Sequence, residues 1–270
     1  MKELKFNIKY LINRKELYFV IFLTLCVNLI HVFLCINESL RLNHFIEELH
    51  SGEYQFILYN GIVTLNTLII LVFPVMFSMV FSDSNFLENK RKTTNILATR
   101  INFKKNIIIR MFLSIIVTFI ICFFTFLINY IILRIIYGTG NRLTFFQETA
   151  FHLKYYDKWF LDNIRLYNPI IFVLLINLSV SFIYGLLSAL SYLVSFFVRN
   201  RIIIYFVPLI FLIATELFLP ILGFKQLSFI TALQPFSEFS IISFVLCICF
   251  LLLVNTSLLF IIFQEKDVLI

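Results

Sequence analysis

The chain has 270 residues, of which 61% are hydrophobic and 14% are charged, whereas soluble domains average roughly 45–50% apolar and about 25% charged residues. This composition excludes a water-soluble core and favours a bilayer, where about 20 consecutive apolar residues cross the roughly 30 Å hydrocarbon layer as a helix with internally bonded backbone. The net charge of +7 does not indicate a nucleic-acid-binding protein, because the basic residues flank apolar stretches, where membrane topology and anionic headgroups account for them.

Residues 1–16 are predicted to form an amphipathic helix that lies on the cytoplasmic leaflet before the chain turns into the bilayer. Apolar residues recur at helical spacing and basic residues occupy the remaining faces: Leu4, Ile8, Leu11 and Ile12 against Lys2, Lys5, Lys9 and Arg14. A disordered basic tail is the alternative interpretation.

Six apolar stretches are long enough to cross a bilayer as helices. They cover residues 17–36, 62–81, 111–133, 170–198, 202–222 and 241–263. The first is predicted to be a retained signal-anchor, because Asn37, Glu38 and Ser39 follow it instead of a small-residue cleavage site. The predicted fold is an all-α membrane protein with six transmembrane helices in one domain covering residues 1–270.

The distribution of Lys and Arg predicts the orientation of these spans, because basic residues in short loops resist translocation. They are concentrated in residues 1–16, in the segment 82–110 and in the Arg199–Arg201 turn, and are sparser in the alternate connections. We therefore expect a multi-pass protein of the cell membrane with both termini in the cytoplasm.

The segment 82–110, predicted to be cytoplasmic, combines helix-capping residues with apolar ones. Ser82 and Asp83 are plausible caps, and they precede apolar residues that a solvated linker would not need: Phe86, Leu87, Ile96 and Leu97. A short amphipathic element here would bury these residues against a cytoplasmic partner.

The segment 134–169, predicted to face outside, is rich in aromatic residues. Phe151, Tyr155 and Trp159 recur every four residues, and Trp and Tyr favour the depth of the lipid headgroups. An interfacial helix is the simpler interpretation, and an aromatic surface that grips a substrate is the alternative.

Polar residues inside the apolar stretches are few. Glu216 in the fifth stretch is the candidate pathway residue, since a carboxylate at membrane depth is costly and marks a functional site unless it lies at the outer headgroup level, which is the alternative. The cysteines all fall in apolar stretches and are read as packing residues. No metal or cofactor site is predicted on this chain.

In segment 82–110 the sequence resembles the ABC-2 type permeases, the membrane subunits of ATP-binding-cassette exporters. Their loose pattern here is an acidic residue, a small residue or Thr, an aliphatic pair, Ser/Thr-Arg and further basic residues. In this chain the pattern is matched in order by Glu88, Thr93 or Thr94, Ile96-Leu97, Thr99-Arg100 and Lys104-Lys105. The family's usual glycine before the aliphatic pair is absent. The long fourth stretch with its small and hydroxyl residues, followed by the brief Arg199–Arg201 turn, adds to the resemblance.

The resemblance implies an ATP-driven export permease with an N-terminal interfacial helix and a cytoplasmic coupling helix between spans two and three. The residues expected to dock on the ATPase are Phe86, Leu87, Glu88, Thr93, Thr94, Ile96, Leu97, Thr99 and Arg100. It also implies two ATPase subunits that carry ATP and Mg, and a second permease subunit that is identical or similar. None of the 6 glycines stands in the phosphate-binding G-x-x-x-x-G-K-S/T arrangement, so hydrolysis is expected on a separate chain and this chain is not expected to be an enzyme.

The expected substrate is amphipathic, such as a peptide, a lipid or a hydrophobic drug. One alternative function is a structural or sensory membrane protein without transport activity, which would leave the apolar residues of segment 82–110 unexplained. Another is an intramembrane enzyme, which would need clustered acidic residues or histidines at membrane depth, where only His31 and Glu216 are candidates.

Overall fold

The computed structural model describes residues 2–41, 52, 56–58, 63–90, 103–138, 161, 164, 167–224, 227–233 and 241–267. Every regular element in these ranges is an α-helix. In chain order the helices are α1 (Lys2–Ile12), α2 (Lys15–Arg41), α3 (Val63–Ser78), α4 (Ser84–Lys90), α5 (Phe103–Tyr137), α6 (Pro169–Val194), α7 (Arg201–Ile221), α8 (Phe229–Leu233) and α9 (Ile241–Asp267).

Five of these helices are long and apolar enough to cross a membrane. The candidate spans are Lys15–Asn37, Phe103–Tyr137, Pro169–Val194, Arg201–Ile221 and Ile241–Gln264. The described part of the chain is thus all-helical with several candidate membrane spans, as the sequence predicts.

The second predicted span, 62–81, corresponds to a shorter helix. α3 has 16 residues and is therefore ~24 Å long, which is less than the roughly 30 Å of a hydrocarbon layer. Pro74 lies inside it and has no N–H to donate to the preceding turn. Directly after Ser78, two backbone hydrogen bonds span three residues instead of four. The N–H of Met79 donates to the Met76 carbonyl at 3.1 Å, and the N–H of Val80 donates to the Phe77 carbonyl at 3.3 Å. The predicted span thus ends in turns.

Helix α6 lies at the centre of the bundle, against α3, α5, α7 and α9. In the described chain, 61% of the residues in the apolar stretch of α6 are buried, against 22% to 39% in the other four candidate spans. Small residues permit this packing: a Cβ on Gly185 would lie 3.0 Å from the Ile115 carbonyl oxygen of α5, and the Ser114 and Ser188 hydroxyls are 2.8 Å apart. Close backbone approach of this kind replaces the hydrophobic driving force that lipid cannot supply.

Aromatic rings fill the space between α3, α5 and α6. The Phe77 ring centroid lies 5.2 Å from that of Tyr184 and 5.4 Å from that of Phe73, and Phe73 stacks on Phe126 at 5.7 Å. All four side chains are buried. Short as it is, α3 therefore packs inside the bundle.

Candidate functional site at the N-terminal end of the bundle

The predicted docking residues fall into two groups. Phe86, Leu87 and Glu88 lie in α4, directly after α3, with half-buried side chains. Thr93, Thr94, Ile96, Leu97, Thr99 and Arg100 lie outside the described residues. The backbone N–H of Leu87 donates to the Asp83 carbonyl at 3.0 Å, which places Asp83 directly before α4.

The Asp83 side chain is the centre of a buried ionic cluster. Its carboxylate is fully buried and accepts hydrogen bonds from Arg14 Nη2, from Arg201 Nε at 2.7 Å and from the Tyr205 hydroxyl at 2.7 Å. Arg201 Nη2 donates in turn to Glu16 Oε1 at 2.5 Å. Asp83 therefore joins the start of α4 to the α1–α2 connection and to the first turns of α7.

Glu88 forms a second cluster on the same short helix. Its two carboxylate oxygens accept from Arg110 Nη1 at 2.7 Å and Nη2 at 2.6 Å, a bidentate pair. Arg110 is buried in α5, and its Nε donates to Asn7 Oδ1 at 2.9 Å. Asn7 Nδ2 then donates to Asn106 Oδ1 at 2.8 Å. Glu88 therefore ties α4 to α5 and, through Asn7, to α1.

Tyr10 lies between the two clusters. Its ring centroid is 5.8 Å from the Arg14 guanidinium carbon and 6.0 Å from that of Arg110, within the range of a cation–π contact. We call the whole set the basal network. Its three arginines are matched by three carboxylates, and uncharged side chains complete it. The members are Asn7, Tyr10, Arg14, Glu16, Asp83, Glu88, Asn106, Arg110, Arg201 and Tyr205. It lies at the end of the bundle where α1 meets the first turns of α2, α5 and α7, which we call the N-terminal end of the bundle.

Burial and neighbouring charges together shift the pKa values of Tyr10 and Arg14, the two residues of the network that precede α2. Burial raises the pKa of the Tyr10 phenol, although the Arg14 charge opposes this. For Arg14, burial acts to lower the pKa, but the Asp83 carboxylate and its hydrogen bond outweigh that effect and the pKa is raised. Arg14 therefore keeps its charge and Tyr10 its proton at physiological pH.

Sequence reasoning missed this network, although it carries a signal. Arg14, Asp83, Arg110 and Arg201 each stand within a few residues of a boundary of a predicted apolar stretch, and all four boundaries are predicted to lie on the same side of the membrane. A carboxylate and arginines gathered at one end of a bundle are candidates for pairing, since buried charges are found paired.

Glu216 has a structural partner near the opposite end of the bundle. Its Oε1 accepts from the Ser228 hydroxyl at 2.8 Å and from the Ile230 backbone N–H at 2.9 Å. These groups lie at the start of α8, whose Phe229, Ala232 and Leu233 are buried. The carboxylate thus anchors α8 to α7.

The remaining polar residues of the long helices mostly bond between helices. Asn129 Nδ2 of α5 lies 3.3 Å from His31 Nδ1 of α2, Asn177 Nδ2 of α6 donates to the Phe123 carbonyl of α5 at 3.0 Å, and Asn255 Nδ2 of α9 donates to the Leu186 carbonyl of α6 at 3.2 Å. Asn28 instead bonds within its own helix, to the Thr24 carbonyl. These contacts help to fix how the helices pack.

No protein-family model, no curated protein and no solved structure matches this chain. The resemblance to export permeases therefore rests on the amino-acid sequence alone.

Proposed function

We propose that this chain is the membrane subunit of an ATP-driven exporter of the ABC-2 type, and that segment 82–110 docks on a separate ATPase. The observation that carries the proposal is the double tether of α4. Asp83 and Glu88, at the start of the docking segment, are hydrogen-bonded to arginines of α7 and α5.

This double tether suits the transmission of force. A load applied to α4 by an ATPase would reach the first turns of α5 and α7 directly, because buried bidentate and multiply bonded ion pairs resist separation. Closure of the two ATPase subunits, which hold ATP and Mg, would thus shift the bundle between inside-open and outside-open arrangements.

In this proposal α3 also crosses the membrane, which brings the number of spans to six, and both termini are cytoplasmic. A span shorter than the hydrocarbon layer is accommodated by local thinning of the bilayer. The exposed cations at the N-terminal end of the bundle support the orientation: Lys5, Lys9, Lys15, Lys90, Lys104, Lys105 and Arg199.

The complex in this proposal contains two ATPase subunits and a second permease subunit, identical or similar to this chain. Its substrate is an amphipathic molecule, namely a peptide, a lipid or a hydrophobic drug, moved from the cytoplasm or the inner leaflet to the outside. Apolar faces on the long helices suit contact with such a molecule, with lipid and with the second subunit.

Copurification from the native membrane in mild detergent tests the docking segment. Leu97→Glu should remove most of the ATPase that copurifies with the tagged chain, because a charge would enter an apolar contact. The matched control, Leu166→Glu in the predicted outside loop, should leave the ATPase bound. Retention of the ATPase by both variants, or its absence from the unsubstituted chain, would contradict the proposal.

A further inference from the structure

A pocket opens beside the basal network, between α4 and the connection from α6 to α7. It has a volume of about 390 Å³ and is lined by Phe86, Lys90, Ser195, Phe196, Val198 and Arg199. Small-molecule sites have volumes of roughly 300–1,000 Å³. The Asn85 Nδ2 atom donates to the Ser195 carbonyl at 3.3 Å and so joins the two walls.

Charge distinguishes this pocket from the basal network beside it. Arg14, Arg110 and Arg201 are each matched by a carboxylate. Lys90 and Arg199 are both exposed, and neither meets a carboxylate in the described ranges of the chain. Among the residues that the structure describes, the pocket therefore presents two cations without a carboxylate partner, beside aromatic walls.

The position of Arg199 in the chain indicates where the pocket lies relative to a membrane. Helix α6 ends at Val194 and α7 begins at Arg201, so Arg199 lies in the short connection between two apolar candidate spans. If both helices cross a bilayer, this connection lies near the lipid headgroups. Phe197 and Ile202, on either side of Arg199 in the chain, are 42% and 66% exposed. Apolar surface is thus available beside the cations for the upper part of an acyl chain.

We propose that this pocket binds the phosphate headgroup of an anionic glycerophospholipid, with Lys90 and Arg199 on the phosphate and with Phe86 and Phe196 against the glycerol backbone. Arginine and lysine are the usual phosphate donors in proteins, and anionic lipids attract basic residues at the membrane surface. In this proposal Phe86 contacts the lipid, so docking on the ATPase rests on the other residues of segment 82–110. Lipid binding can be measured without an ATPase, and its test is therefore separate from that of the proposed function.

Lipid binding to the purified full-length chain tests the site. In native mass spectrometry, phosphatidylglycerol should be retained in preference to phosphatidylcholine. Each cation near an anionic headgroup adds about fivefold to affinity, so Lys90→Gln with Arg199→Gln should lower the apparent affinity for phosphatidylglycerol roughly 30-fold.

The matched control is Lys5→Gln with Lys9→Gln, which removes the same charge from exposed residues of α1 and should leave that affinity unchanged. Equal losses in the two double variants would mean a diffuse charge effect and would overturn the proposal. So would equal retention of the two lipids by the unsubstituted chain.

A second experiment identifies the occupant and leaves both cations in place. Val198→p-benzoylphenylalanine, irradiated in cells, should give an adduct with the mass of a phospholipid. An adduct with a protein would overturn the proposal, as would displacement of phosphatidylglycerol by millimolar inorganic phosphate, which would indicate a site for free phosphate. This measurement also decides the matter if the double variant of Lys90 and Arg199 fails to fold.

Discussion

Asp83 is the carboxylate of the network that is both fully buried and bonded to several partners. It is fully buried, and two arginines and a tyrosine hydroxyl surround it. Replacing a whole buried ion pair by apolar residues is often neutral, whereas removing one partner typically destabilises by about 3–5 kcal/mol because a buried charge is left uncompensated. The effect of Asp83 on stability therefore depends on its partners.

Asp83→Asn should lower the free energy of unfolding by about 3–5 kcal/mol, because Arg14 would keep its charge in a buried site. The measurement is thermal or denaturant unfolding in a fixed detergent. Glu16→Gln is the control: Glu16 pairs with the same Arg201, but both side chains are partly exposed, and such pairs contribute about 0–1 kcal/mol. Equal effects of the two substitutions would contradict the central place of Asp83.

Arg110→Glu should destabilise the protein by several kcal/mol, because it places a second carboxylate beside Glu88 in a buried site. Adding Glu88→Arg should restore part of this loss by reversing the ion pair. Recovery should be incomplete, since Arg110 Nε also bonds to Asn7. Unfolding of the two single variants and of the double variant measures this coupling. Additive losses in the double variant would mean that the pair does not interact as the structure has it.

At the scale of elements, α5 and α6 approach each other closely at Gly185. A Cβ on Gly185 would lie 3.0 Å from a backbone oxygen and 3.2 Å from the Ile115 Cγ2 atom. Both neighbours belong to a long, well-packed helix and have little room to move.

Gly185→Val should therefore destabilise the protein by about 1–3 kcal/mol, the usual effect of overpacking. Ser179→Val on the same helix, at a position that is only half-buried, controls for the β-branched side chain. The midpoint of unfolding in detergent measures both. Indistinguishable midpoints would show that α5 and α6 can separate without loss.

Helix α8 is held by Glu216, and this anchor can be tested through Cys247. The thiol is buried and lies 3.8 Å from the Ser228 carbonyl. Glu216→Leu removes the acceptor of both bonds to α8 and should make Cys247 react faster with a membrane-permeant maleimide, whereas Glu216→Gln keeps an acceptor and should have a smaller effect. Cys249, which is exposed, gives the reference rate. An unchanged Cys247 rate in Glu216→Leu would show that α8 is anchored elsewhere.

On the scale of the whole molecule, the number of spans fixes the relation between the two termini. Six spans place both termini on one side of the membrane, and five spans place them on opposite sides. In a cysteine-free background, Lys2→Cys and Lys266→Cys should both be protected from a membrane-impermeant thiol reagent in intact cells, and His50→Cys should be labelled. Labelling of only one terminus would exclude α3 as a span and, with it, the proposed orientation.

The centres of the long helices could be predicted from apolar length alone, whereas some of their ends and the pairing within the network could not. The fifth predicted stretch, 202–222, agrees closely with α7 at Arg201–Ile221. Helix α5, however, begins at Phe103 and not at 111, because Lys104, Lys105 and Arg110 count as loop residues in a hydropathy pattern. Long basic side chains continue a helix past the apolar core, and Arg110 does so by pairing with Glu88.

The partners of the network are far apart in the chain, which explains why no local pattern reveals them. Arg201 and Asp83 are separated by 118 residues, and Arg110 and Glu88 by 22. Periodicity and capping report on a few neighbouring residues, whereas these pairs depend on how α1, α4, α5 and α7 assemble. Gly185 is similar, since only the packed pair of helices shows what a side chain there would meet.

The spread of these partners along the chain also has a consequence for biosynthesis. As the ribosome delivers the polypeptide, Arg14 and Asp83 can meet early, but Arg201 is added only after α6 has been made. Until then the Asp83 carboxylate lacks one arginine and the Tyr205 hydroxyl. The N-terminal end of the bundle therefore closes late, when α7 joins the nascent protein, and a ribosome-stalled fragment ending before Arg201 should be cleared by quality-control proteases faster than one that includes α7.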